Sequence, residues 1–98
     1  MNRFGLPEGV LIEIVDALRC YAEIGGAKIF GSRAKGNFKR YSDIDIAIYA
    51  ESDNSLAANL KEDLEDLDII YRFDVVHYEK IANQDLKEHI DRVGIDII

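Results

Sequence analysis

With 98 residues the chain can hold one small domain, residues 1–98, with one modest core and little room for a second substrate-binding unit. A composition of 48% apolar residues, with one proline and seven glycines, argues against disorder, and no run approaches the ~20 apolar residues that span a bilayer. A net charge of −7 opposes stable binding of nucleic acid, and a single cysteine, Cys20, rules out an internal disulfide and suits a reducing, cytoplasmic compartment.

In chain order, residues 1–6 read as a loose lead-in, and Pro7 suits the first turn of a helix. Leu11, Ile14, Val15, Leu18 and Ala22 recur at helical spacing, with Cys20 off that stripe, and Gly25-Gly26 is expected to end the helix. A short strand follows over 27–30. Ser32 is then expected to cap one helical turn that Gly36 stops, and residues 37–42 read as loop. From Asp43 to Tyr49 the pattern is a strand, with Ile44, Ile46 and Ile48 on one face and Asp43, Asp45 and Ala47 on the other. Leu56, Leu60, Leu64 and Leu67 mark a second long helix whose acids form a solvated face. A third strand over 72–77 carries Asp74, a residue that strands disfavour. Leu86, Ile90 and Val93 mark a last helix ended by Gly94, with a short terminal strand over 95–98. The order predicts an α+β (α/β two-layer) fold, a sheet of three to four strands with helices packed on it. About a dozen residues between the first two strands are marginal for a parallel crossover, so the sheet is expected to be mixed.

The chemistry concentrates between residues 31 and 45. No acid lies between Glu23 and Asp43, whereas Lys28, Arg33, Lys35, Lys39 and Arg40 do. A basic loop confined within an acidic protein suits a local anion site. Gly31 lets backbone approach a phosphate, Ser32 adds a hydroxyl, and Arg33 can offer paired donors to phosphate oxygens. Asp43 and Asp45 project to one face, and two adjacent carboxylates repel unless a cation joins them; Mg²⁺ takes such ligands together with substrate phosphates. Asp74, on a neighbouring strand, could complete the site and accept a proton from an incoming hydroxyl, with two metal ions serving an in-line displacement. Each feature alone has an ordinary structural reading: a tight turn, a solvent-facing acidic pair, a strand-edge Asp. His77 and His89 have no Cys or His at zinc spacing and read as a locally paired strand residue and a helix-surface residue. Tyr41 reads as a loop aromatic that could instead line a base pocket.

Gly31-Ser32, ten residues, and Asp43-x-Asp45 together resemble the signature of the DNA polymerase β-type nucleotidyltransferase superfamily. The fuller strings Phe-Gly-Ser-Arg-Ala-Lys-Gly (30–36) and Ser-Asp-Ile-Asp-Ile-Ala (42–47) resemble its minimal single-domain members, which pair with HEPN-domain proteins. The resemblance spans nearly the whole chain. It implies a polymerase β-like fold, with Asp43, Asp45 and Asp74 as metal-binding catalytic carboxylates and Gly31, Ser32 and Arg33 on the nucleotide phosphates. Lys35 stands where arginine is frequent and lacks its fork. It implies transfer of NMP, AMP by preference, from an Mg²⁺-bound NTP, ATP by preference, to a hydroxyl on a HEPN partner, the chain acting as antitoxin of a toxin–antitoxin pair. Two other readings stand beside it: a non-catalytic subunit that masks the HEPN protein, and small-molecule nucleotidyl transfer of the antibiotic-modifying kind. A homo- or hetero-oligomer is compatible with each.

Overall fold

A computed structural model describes residues 3–52 and 55–98. Helix α1 spans Glu8–Arg19, strand β1 Ile24–Phe30, helix α2 Gly31–Lys35 and strand β2 Ile44–Ala50. Helix α3 follows over Leu56–Glu65, β3 over Phe73–His77, α4 over Gln84–Val93 and β4 over Ile95–Asp96. The sheet order is β3-β2-β1-β4. β1 runs antiparallel to both β2 and β4, while β2 and β3 are parallel, so the sheet is mixed as expected.

Strand alternation divides the molecule into two unequal layers of packing. Ile29, Ile44, Ile46, Ile48 and Phe73 turn to the face covered by α1 and α3, where they meet Ile14, Leu18, Leu56, Leu60 and Leu64. Burying each such side chain contributes about 1.5–3 kcal/mol, and this face holds most of the core. The other face carries a small cluster of Phe30, Ala47 and Ile90, with Leu86 and Val93 of α4 packed against it. The segment after α1 is also joined to α3 where the Tyr21 hydroxyl donates to the Asp63 carboxylate, a bond that pushes the Tyr21 pKa up to about 12.

Several boundaries depart from the sequence expectations. Residues 3–5 form a 3₁₀ turn rather than a loose lead, and Phe4 and Leu6 are buried in the main core. α1 ends at Arg19, Ala22 is exposed, and Gly25-Gly26 lies inside β1, not at a helix end. The reason is tertiary: Ile24 and Gly26 pair with Ala50 and Tyr49 across an irregular register, and ladder bonding overrides the glycines' poor strand propensity. Gly36 does end α2 with φ 88°. Ser32 does not cap it: Phe30 occupies the cap position and Ser32 lies within the turn. α4 is capped by Asn83, whose side chain accepts from the Leu86 N–H at 3.1 Å.

Candidate active site

Three consecutive strands bring the candidate residues to one end of the sheet, on the face that α4 covers. Asp45 pairs in register with Phe30 of β1 on one side and with Asp74 of β3 on the other. Phe30 is followed directly by Gly31, so the strand that ends in the glycine-serine corner lies beside the strand that begins with the acidic pair. Asp43, exposed, stands just ahead of β2.

Gly31 adopts φ 70°, a conformation L side chains rarely take, and a Cβ there would fall 2.1 Å from Asp45 Oδ2. The Asp45 carboxylate therefore rests against the bare backbone of Gly31, and both conformation and space demand glycine. Asp45 is half-buried. Burial, followed by the charges of Asp74 and Asp43, raises its pKa to about 6, with Arg33 opposing the rise. A carboxylate in this position gains from a cation that neutralises the acidic group.

Among the described residues no three His, Cys, Asp or Glu side chains are gathered closely enough to hold a metal ion. The expected triad therefore does not appear as a preassembled three-ligand cage. The donor set still fits Mg²⁺: all oxygen, with the register-paired Asp45 and Asp74 supplying the one or two carboxylates that Mg²⁺ commonly takes beside phosphates.

The phosphate role expected for Arg33 does not fit its surroundings. Arg33 is only 2% exposed. Its Nε and Nη2 donate to the Ser42 carbonyl at 3.0 and 2.9 Å, Nη1 to the Phe4 carbonyl at 3.0 Å, and Nη2 also to the Arg40 carbonyl at 3.3 Å. The rings of Phe38 and Tyr71 lie 5.2 and 5.0 Å from its guanidinium carbon. Its donors are thus engaged by backbone, and the side chain ties α2 to the residue immediately before Asp43. The Phe38 ring also crosses Gly5, whose hypothetical Cβ would sit 2.1 Å away. This latch was not legible in the motif; the apolar Phe4, Phe38 and Tyr71 were the available signal. The Ser42 hydroxyl accepts from the Lys39 N–H at 2.7 Å, holding the same loop.

Lys35, Lys39 and Arg40 are exposed, as is Tyr41, which has Arg40 over its ring at 5.3 Å. His89 departs from a helix-surface reading: it is half-buried, edge-on to Phe30 with ring centroids 6.0 Å apart, and burial and nearby cations lower its pKa. His77 is buried at the far end of β3, where its Nε2 lies 2.7 Å from the Ala50 carbonyl, remote from Asp45 along the strand.

A mixed sheet with an Asp-x-Asp pair entering a strand beside a glycine-serine corner is the arrangement of the nucleotidyltransferase fold class. The family model for "Polymerase beta, Nucleotidyltransferase" matches residues 13–98, and the chain belongs to that family. The Haemophilus influenzae protein named "Probable protein adenylyltransferase MntA" is 37% identical over 70 residues, 69% of this chain. That match spans 60% of the relative's length. A crystal structure of a toxin–antitoxin with AMP-PNP superposes with a TM-score of 0.70 at 27% identity, covering 95% of this chain and 73% of that one. A structure assigned to the minimal nucleotidyltransferases gives a TM-score of 0.68 at 30% identity, covering 90% and 92%. The fold is therefore the polymerase β-like one that the motif implied. No helix among the described residues is long and apolar enough to cross a membrane.

Proposed function

We propose that this chain is a cytoplasmic, Mg²⁺-dependent nucleotidyltransferase that moves AMP from ATP to a hydroxyl of a HEPN-type partner, acting as the antitoxin of a toxin–antitoxin pair. The observation that carries the reading is the pairing of Asp45 with Asp74 beside Gly31, with the Asp45 pKa raised to about 6. The likeness to a toxin–antitoxin structure with AMP-PNP and to a relative named as a protein adenylyltransferase supports an adenine nucleotide as substrate and a protein as acceptor.

In this proposal Asp43 and Asp45 hold the divalent ion, Asp74 ligates and accepts a proton, and Gly31 and Ser32 orient the terminal phosphates. Bound Mg²⁺ would neutralise charge that develops on the phosphate oxygens. The acceptor oxygen forms a bond to the α-phosphorus, the bond from that phosphorus to pyrophosphate breaks, and the hydroxyl proton passes to the Asp74 carboxylate. Arg33 acts without touching substrate, by fixing the loop that delivers Asp43. Incubation of the chain with radiolabelled ATP, Mg²⁺ and a HEPN-domain protein tests the reading. Label on the partner, lost in Asp45→Asn, is the expected outcome. A wild type that labels nothing beyond the Asp45→Asn background contradicts it.

A further inference from the structure

α1 carries a second stripe that the fold leaves uncovered. Glu8, Ile12, Val15 and Arg19 are spaced by four, three and four residues, the a/d pattern of a helix-pairing seam. With Leu11 and Asp16 they line one surface groove. Ile12 is 53% exposed, and Val15 belongs to neither core. This surface lies on the layer opposite the Asp45 face.

From this arrangement we infer that α1 is a homodimer seam, on which a second copy of the chain docks its own α1 in antiparallel register. The charge order singles out that occupant. A two-fold axis between residues 13 and 14 sets Glu8 of each copy against Arg19 of the other and Ile12 against Val15. The two copies of Leu11 then flank one rim, and the two copies of Asp16 flank the solvent rim. A parallel pair would instead oppose Glu8 to Glu8 and Arg19 to Arg19. The seam is one 12-residue helix, ~18 Å long. That is short of what the ~1,200–2,000 Å² of a stable interface requires, so the dimer is weak and concentration-dependent. Both Asp45 sites remain open in it.

Sedimentation equilibrium of the full chain under reducing conditions, across the micromolar range, tests this without any catalytic readout. The wild type is expected to shift from monomer to dimer. Ile12→Glu should raise the dissociation constant at least about tenfold. Glu8→Lys and Arg19→Glu should each weaken the dimer, and the double variant should restore it to within about threefold of wild type, because both cross-pairs are rebuilt with reversed sign. All three positions are exposed, so Ile12→Glu should leave the monomer's thermal melt unchanged, while Glu8→Lys and Arg19→Glu, which reverse charges at the two ends of α1, should lower it only slightly. A wild type that stays monomeric overturns the inference. So does a dimer indifferent to Ile12→Glu, or a double variant no tighter than the weaker single, since a hetero-partner on this face would gain nothing from the paired reversal.

Discussion

The two faces of one strand behave as different proteins. Toward α1 and α3, β2 presents Ile44, Ile46 and Ile48, all fully buried in an apolar layer. Toward α4 it presents Asp45, Ala47 and Tyr49, on the side of a cluster whose buried members among the described residues are Phe30, Ala47 and Ile90. The first face supplies stability, and its residues can exchange for others of similar volume. The second gives up burial so that a carboxylate can stand beside another carboxylate and a bare glycine. A raised Asp45 pKa records the energetic conflict on that face. The comparison teaches that a period of two lets seven residues anchor a fold and build a site without compromise between them.

Substitutions on each face should separate these roles. The largest effect is expected from Asp45→Asn, which should reduce nucleotidyl transfer by about 10²–10⁴-fold. The same variant should melt at a higher temperature than wild type in metal-free buffer at pH 7, since it removes a charge the site disfavours; differential scanning calorimetry reads this. Loss of activity together with a lower melting temperature would assign Asp45 to the scaffold instead.

Leu60→Ala, on the opposite layer, should show the reverse pattern. Leu60 is fully buried, and truncation there costs about 2–5 kcal/mol of stability. Urea titration measures the loss, while nucleotide binding well below the melting temperature should stay near the wild-type value. A smaller effect is expected from Arg33→Lys, which keeps the charge but loses the fork that reaches the Ser42, Arg40 and Phe4 carbonyls. Steady-state kinetics should show a fall in kcat with the KM for ATP little changed. A rise in KM alone would return Arg33 to the phosphates.

The mildest effect is one of pH. Because the folded-state pKa of Asp45 lies above the ordinary carboxylate value, near 6, the folded chain favours the protonated group. Its contribution to stability is full below the ordinary value and declines as pH rises through about 6. Metal-free melting temperatures should therefore decline slightly over that interval, over and above the titration seen in Asp45→Asn. Divalent-ion affinity should move the other way, rising as the carboxylate ionises.

Much of this division is legible in the sequence because it depends on local spacing. The alternation of Ile44, Ile46 and Ile48 announces β2, although the strand begins one residue after Asp43; the Leu56, Leu60 and Leu64 stripe announces α3, and glycine before serine announces a tight corner. What the residues conceal is set by distant partners. Phe4 and Leu6 enter the core only because the chain folds back over α2 and the sheet. Gly25 and Gly26 become strand because Tyr49 and Ala50 are there to pair with them. Arg33 looks like a phosphate ligand until the carbonyls of Phe4, Arg40 and Ser42, and the rings of Phe38 and Tyr71, close around it. No local pattern encodes that enclosure.

Binding of Mn²⁺ in the presence of AMP-PNP, followed by electron paramagnetic resonance, reaches the claim that the Asp45 face holds a divalent ion against a nucleotide. Saturable binding in the wild type, abolished in Asp45→Asn and weakened in Asp74→Asn, is the predicted result. Equal binding by the wild type and both variants would contradict it.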